Sequence, residues 1–344
     1  MIEGELAVPW SSRLEAVAPP EDRGLARDGV RLLVSRGDAL EHHRFRDLPQ
    51  LLRPSDLLVV NQSGTWPASL PARSERGPFL LNLSTRYAPE VWVAESRFGP
   101  AEPGPVPLGL GEQFEAAGLR AERIAPFPGV DRLAFYRFRG DVEAAMRRHG
   151  GPIRYGYLAR PVPLAEYQTI FARVDGSAEM PSAGRPFTAR ILESLRARGI
   201  RWVPITLHAG VSSLERGDAP SDRQLTYPEP FEVPAETVQR IERTRRTGGR
   251  VIAVGTTVVR ALESATGPGG LRAARGFTQA FLHPGRPMRT ADGLVTGLHD
   301  RGSSHLSLLA ALAPAASLER AYRAAVAEGY AWHEFGDSHL ILPS

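Results

Sequence analysis

The sequence predicts an α/β main domain with an inserted small antiparallel β-barrel. After residue 155, helix-like and strand-like segments alternate, as in a layered α/β domain. Between about 64 and 152, short strand-like pieces are separated by stretches dense in Pro and Gly, the texture of a small antiparallel unit. An apolar strand, Leu57 to Val60, already precedes that region, so the α/β domain begins before the barrel and resumes after it. The expected boundaries are 1–62 with 153–344 for the discontinuous α/β domain and 63–152 for the insertion.

In chain order, a strand is expected over Val30 to Val34, a short helix at DLPQLLR (47–53), and a second strand over Leu57 to Val60. In the insertion, PFLLNLS, EVWVAES and RLAFYRFRG read as strands and DVEAAMRRHG as a helix. FTARILESLRARG is amphipathic with a helical period, RWVPITLHAG is a buried strand, and PAETVQRIERTRRTGG is a helix stopped by glycines. GGRVIAVGTTVVRALESA (248–265) changes character halfway. Val251 to Val254 is a bounded apolar run, and Val258, Leu262 and Ala265 then share a helical face. FTQAFLH, the helix SSHLSLLAALA and a helix around AYRAAVAEGY complete the alternation.

Composition removes several chemistries. The sequence holds no Cys, which excludes disulfides, thiolate nucleophiles and cysteine-ligated metals. All 42 residues of the Lys+Arg count are Arg, so Schiff-base, pyridoxal-phosphate and P-loop lysines are excluded as well. No apolar run reaches membrane-spanning length and no signal segment opens the chain, so a soluble, cytoplasmic protein without a membrane partner is expected. The net charge of +4 is compatible with RNA. The Arg-rich RIERTRR (240–246) fits a solvated helix face at least as well as a phosphate contact.

Four loops stand at strand ends or helix starts: GSAEMPSAGRPF (176–187), TLHAGVSS (206–213), the VGTT turn, and DGLVTGLHDRGSSH (292–305). Ligands of open α/β sheets bind at the carboxyl ends of strands, which makes this set a candidate site. Gly255 lets backbone approach a ligand, and Thr256 and Thr257 offer hydroxyls beside the unpaired N–H groups of a helix start. A capped αβ junction without a ligand explains the same residues. His299 and His305 are poorly spaced for zinc, and His333, Glu334, Asp337 and His339 fit a packed chain end better than a metal cluster; no metal is expected.

Taken together, the motifs resemble the S-adenosylmethionine:tRNA ribosyltransferase-isomerase family of queuosine biosynthesis. RLLV (31–34), FRDLPQLL (45–52), SDLLVVN (55–61), YQTIFA (167–172), TLHAG, RVIAVGTTVVRALES (250–264), the spaced PG…DGLVTGLH (284–299) and FGDSHLI (335–341) carry that resemblance in order. It implies an α/β domain interrupted by a β-barrel. It also implies transfer and isomerisation of the ribosyl moiety of S-adenosylmethionine onto the aminomethyl-deazaguanine of tRNA, giving epoxyqueuosine and releasing adenine and methionine. S-adenosylmethionine is then a substrate and no cofactor is implied.

The chain departs from the family pattern at several loops. NDTRVIPARL is replaced by Asn61 to Leu70 without its arginines, APTAGLHF by Met180 to Phe187 with Arg185 and Pro186, HSE by Tyr227-Pro228-Glu229, TNFHLP by Thr296 to Arg301, and PLPPYI by PIRYGYL. Two alternatives therefore stand beside the family reaction: a paralogue using S-adenosylmethionine with another acceptor, and a non-catalytic RNA-binding protein on the same scaffold.

On the resemblance, His208 is the candidate for proton transfer near the sulfonium, and His299 or Glu229 for assisting adenine departure. Gly255, Thr256 and Thr257 are candidates for binding the methionine carboxylate. Arg260 would pair with a carboxylate or with Glu263. Ser182, Gly184, Arg185, Gly210 and Thr296 complete the expected substrate-binding set, with Glu179 and Arg185 reshaping acceptor binding.

Overall fold

The computed structural model describes residues 8–9, 11–102, 104–211, 227–301 and 303–343. The end of the TLHAGVSS loop, Ser212 and Ser213, lies outside the described residues.

The chain begins with the hairpin β1 (Arg31–Arg36) and β2 (Ala39–Arg44), followed by the single-turn helix α1 (Leu48–Leu51) and β3 (Leu57–Asn61). A short β4 (Ser63–Thr65) leads into β5 (Ser69–Ser74), β6 (Gly77–Ala88), β7 (Val91–Arg97), β8 (Gln113–Ala116), β9 (Leu119–Pro126) and β10 (Leu133–Arg139). These last six close into an antiparallel barrel in the order β10-β7-β6-β5-β8-β9. Closure leaves no unpaired edge, and alternate side chains such as Leu70, Leu81, Leu83, Phe114 and Tyr136 fill the interior. Helix α2 (Val142–His149) buries Val142 and Met146 in the same cluster.

The chain then returns through β11 (Val174–Ser177), which pairs with β4, to α3 (Ala189–Ala197) and β12 (Arg201–Leu207). Next come β13 (Glu229–Val233), α4 (Ala235–Arg246), β14 (Val251–Val254) and α5 (Thr256–Ser264). A two-residue ribbon, β15 (Thr266–Gly267) with β16 (Gly270–Leu271), precedes β17 (Ala274–Thr278) and β18 (Gly293–Gly297). Helices α6 (Ser304–Ala310) and α7 (Ala315–Ala327) lead to β19 (Ser338–Leu342).

The main sheet has nine strands in the order β17-β13-β12-β3-β14-β18-β19-β1-β2. Central strands are covered on both faces and therefore lack polar alternation: β3 reads LLVVN and β14 VIAV, all buried. Strand geometry sends successive side chains to opposite faces. Leu57 and Val59 pack with α5 and α7 residues such as Val258, Leu262 and Tyr322, whereas Leu58 and Val60 pack with Ile191 and Leu195 of α3. Each fully buried Leu or Val contributes about 1.5–3 kcal/mol. Below β3 and β14, Asp56 and Arg250 form a buried two-pronged pair, with Nε–Oδ1 2.9 Å and a second contact of 2.6 Å, that ties their amino ends together.

Several expectations need adjustment. The strand anticipated at FTQAFLH lies earlier and ends at Thr278. The DLPQLLR helix is a single turn. Arg240, Arg243, Arg245 and Arg246 are exposed on α4. The packed chain end expected around Asp337 and His339 is buried and hydrogen-bonded, and β19 is an inner strand there, parallel to β1 and antiparallel to β18. Among the described residues, no helix is long and apolar enough to cross a membrane.

Candidate active site

Strands β12, β3, β14 and β18 are mutually parallel, so their carboxyl ends share one edge of the sheet. Because β19 is antiparallel to β18, pairing Thr296 with His339 and Gly297 with Ser338, the residues just before β19 arrive at that same edge. A cavity of about 510 Å³ opens there, with Arg97 and Ala101 among its lining residues from the barrel region.

The β14–α5 turn forms part of the wall through Gly255, Thr256 and Thr257. Gly255 has φ 98° and ψ 152°, a conformation reserved for glycine, and it caps α5 without a side-chain bond. The first-turn N–H groups of α5 are thus not satisfied by a capping side chain, and the helix end favours negative charge. Asn61, at the end of β3, holds the neighbouring loops in register. Its amide nitrogen donates to the Leu207 carbonyl at 2.8 Å and to Thr257 Oγ1 at 3.3 Å, and its oxygen accepts from the Leu207 and Ser63 N–H groups.

Two stacked histidines form a second wall. The rings of His299 and His305 lie 4.7 Å apart at 15°. Thr296 Oγ1 is 2.7 Å from His299 Nε2, and Thr256 Oγ1 is 2.9 Å from His305 Nδ1. Burial, then the neighbouring His305, His333 and His339, drive His299 well below the usual histidine pKa. Burial and Arg260 lower His305 to about 4. Both imidazoles are therefore neutral at physiological pH.

The remaining wall joins residues distant in sequence. Tyr155 donates to Glu179 and Tyr157 to Glu334, and all four line the cavity. Burial, then the adjacent carboxylates, raise both phenols well above their ordinary pKa. Burial raises Glu334 to about 7, against the lowering effect of the Tyr157 hydrogen bond and with a smaller push from Glu179. His333 stacks on Tyr157 at 4.5 Å. Among the described residues, no group of three His, Asp or Glu side chains is arranged to hold a metal ion.

Of the residues expected from sequence, Ser182, Gly255, Thr256, Thr257, Thr296 and His299 line this cavity; His208, Glu229, Gly184, Arg185, Gly210 and Arg260 do not. His208 instead bonds through Nδ1 to Ser63 Oγ at 2.7 Å, and Ser63 in turn contacts Ser177 at 2.6 Å. Burial lowers its pKa. Gly184 packs on Thr169 and Phe171, and Gly210 sits where a Cβ would collide with Ser84 and Tyr227.

Glu229 accepts from the Gly210 N–H at 2.7 Å and from Arg260. Arg260 pairs with Glu229 rather than with Glu263, whose Oε1 accepts from Arg289 and Thr290. Arg185 is 2% exposed and borders a smaller cavity beside the main one, together with Ser182 and Glu334. It is held by Glu21 at 3.0 Å and Glu166 at 2.8 Å, over the ring of Phe335. These charges sit beside the right loops in sequence, but burial requires partners and they find them inside the protein. Tyr155, Tyr157 and His305 also line the cavity, though no motif in the sequence joins the tyrosines to the site and the spacing of His305 speaks only against a metal. The signal for the tail was a polar run, HEFGDSH, leading straight into the apolar LIL.

Residues 9–341 match the family model described as queuosine biosynthesis protein. The chain is 37% identical to S-adenosylmethionine:tRNA ribosyltransferase-isomerase of Thermus thermophilus, over 94% of this chain and 97% of the relative. It is 38% identical to the protein of the same name from Gloeobacter violaceus, over 92% and 90% of the respective lengths. The crystal structure of S-adenosylmethionine tRNA ribosyltransferase from Thermotoga maritima resembles it with a TM-score of 0.54 at 28% identity, covering 98% of this chain and 100% of that one.

Proposed function

This chain belongs to the queuosine biosynthesis protein family, and from that premise we propose that it is an S-adenosylmethionine:tRNA ribosyltransferase-isomerase. It moves the ribosyl moiety of S-adenosylmethionine onto the aminomethyl group of a 7-deazaguanine in tRNA. There it isomerises the ribosyl group to the epoxycyclopentane of epoxyqueuosine, with release of adenine and methionine. S-adenosylmethionine enters as a substrate, its sulfonium supplying the activation, and the enzyme works in the cytoplasm, where tRNA is found. The supporting observation is similarity along the whole chain to relatives bearing that name, joined to a cavity at the carboxyl ends of the sheet strands.

In this scheme the methionine carboxylate sits at the N-terminus of α5, against Gly255, Thr256 and Thr257, where helix N–H groups and the helix dipole favour an anion. Thr296 engages His299 Nε2, so exchange of a proton with substrate falls to Nδ1, and a neutral imidazole is the form suited to accept it. His208 acts one layer back, steadying Ser63 at the start of β4, which in turn contacts Ser177 at the end of β11. Glu229 and Arg260 hold the TLHAG loop to the sheet through the Gly210 N–H.

The test is mass-spectrometric detection of adenine and methionine released from S-adenosylmethionine, with and without tRNA carrying the aminomethyl-deazaguanine. Release that needs this tRNA, with a matching mass gain on the nucleoside, supports the proposal. Binding of S-adenosylmethionine without release would point to a different acceptor, and salt-sensitive tRNA binding without any product to a binding protein.

A further inference from the structure

One wall of the cavity is an aromatic ladder that carries carboxylates. Tyr155 and Tyr157 stack at 6.3 Å and 20°, and His333 continues the stack at 4.5 Å and 13°. Tyr155 donates to Glu179 Oε1 and Tyr157 to Glu334 Oε2, so each carboxylate is held in a fixed direction. The two are close enough that the charge of Glu179 disfavours ionisation of Glu334. Among the described residues, the buried hydroxyl of Tyr167, which is only 3% exposed, meets no hydrogen-bond partner, and it lies within the field of Glu334. His333 Nε2 likewise meets none among the described residues, at 3.8 Å from Glu15 and 3.9 Å from Asp300, and its backbone is held at φ 68°. Strained backbone of this kind costs about 1–3 kcal/mol and concentrates where ligands are handled.

Glu334, partly drawn out of water and bonded among the described residues only by a neutral phenol, gains from the approach of a cation. The reaction proposed above provides one. Its nucleophile is a primary amine, which is protonated at neutral pH and must lose a proton before it can attack.

We propose that Glu334, oriented by Tyr157 and assisted by Glu179, receives the ammonium of the acceptor amine and takes its proton. One N–H bond breaks, its electron pair stays on nitrogen for attack on the ribosyl group, and one O–H bond forms on Glu334. The assignment rests on the family reaction. The titratable and charged groups around Glu334 include Tyr157, Tyr167, Glu179 and His333, with Arg185 lining a small cavity that Glu334 also borders and Arg154 in the field of Tyr167. Burial makes this carboxylate a stronger base than an exposed one.

The experiment compares wild type, Glu334→Gln and Tyr157→Phe. Calorimetry with free 7-aminomethyl-7-deazaguanine against 7-methyl-7-deazaguanine reads the amine preference directly and needs no turnover. Wild type should favour the amine by about tenfold or more, and Glu334→Gln should lose that preference. In tRNA-dependent adenine release, Glu334→Gln should lower kcat by about 100-fold while KM for S-adenosylmethionine stays within about threefold. Tyr157→Phe removes a hydrogen bond that lowers the Glu334 pKa, so the acid limb of the rate profile should move to higher pH. An undiminished amine preference and kcat in Glu334→Gln, or an unmoved limb in Tyr157→Phe, overturns the assignment. If wild type releases no adenine with this tRNA, the proposed function fails, while the calorimetric preference still decides the amine site.

Discussion

Replacing Glu229 with Gln separates a structural from a catalytic role for a residue that sequence alone places among the catalytic candidates. Glu229 is 2% exposed and its carboxylate takes two bonds, from the Gly210 N–H at 2.7 Å and from the Arg260 guanidinium. Arg260 is itself mostly buried; its Nε donates to the Ala280 carbonyl at 3.2 Å, and among the described residues one of its terminal nitrogens meets no hydrogen-bond partner. Gln keeps the shape and one acceptor but leaves the guanidinium without a counter-charge. Breaking a buried pair from one side costs about 3–5 kcal/mol, and the retained hydrogen bond argues for the lower end, about 3 kcal/mol. Unfolding entropy of about 2.1 cal/mol/K per residue gives roughly 0.7 kcal/mol/K for a chain of this length, so Tm should fall by about 4 °C. Differential scanning calorimetry measures that shift, and adenine release measured alongside should stay within about tenfold of wild type. The double variant Glu229→Gln with Arg260→Met should recover part of the loss, because no orphaned charge remains. Abolished turnover with an unchanged Tm would refute this reasoning and put Glu229 in contact with substrate.

Gly255→Ala would force a side chain into φ 98° with its Cβ 3.4 Å from Ala183, so it should lose about 1–3 kcal/mol of stability and weaken S-adenosylmethionine binding by about tenfold or more, read by calorimetry. His299→Ala should lower kcat by about 100-fold, whereas His208→Ala, outside the cavity, should lower it by no more than about tenfold; equal losses would show that His208 reaches substrate. His339 is fully buried against Ser35 at 2.9 Å with its pKa lowered to about 3 by burial. Its folded pKa lies below its unfolded one, so its contribution is complete above about pH 6.5 and drains as pH falls towards 3, by about 1.4 kcal/mol per pH unit. His299 and His305 drain in the same direction, so urea unfolding between pH 6.5 and 4 should show a steeper combined slope, and His339→Met should reduce it by about 1.4 kcal/mol per pH unit.

Much of the architecture was written in periodicity. The runs Leu57 to Val60 and Val251 to Val254 are apolar because both faces of those strands are covered, and such runs announce themselves without a partner. Gly255 with its two threonines was legible for a similar reason, since the turn demands a residue without Cβ. What periodicity does not encode is which distant segments meet. Glu334 reaches the site because β19 is antiparallel to β18, and Tyr155 reaches Glu179 across a segment with no sheet contact of its own. Charged residues were the least legible. Arg185 and Arg260 stand beside the right motifs, but a buried guanidinium is spoken for by whichever carboxylate the fold brings near, and that is a property of packing.

The position of β19 has a consequence for the order of events in the cell. The barrel draws its pairings from residues 69–139 and can close as soon as that stretch is free. The hairpin of β1 and β2 has no such option, because β1 joins the sheet only through residues 338–342. Contacts of such long separation form slowly. The loop bearing His333 and Glu334 is anchored by that same late strand. Until residues 338–342 emerge, a nascent chain can therefore hold a closed barrel and part of the sheet while lacking the wall that carries His333 and Glu334, and that wall is fixed only when β19 joins.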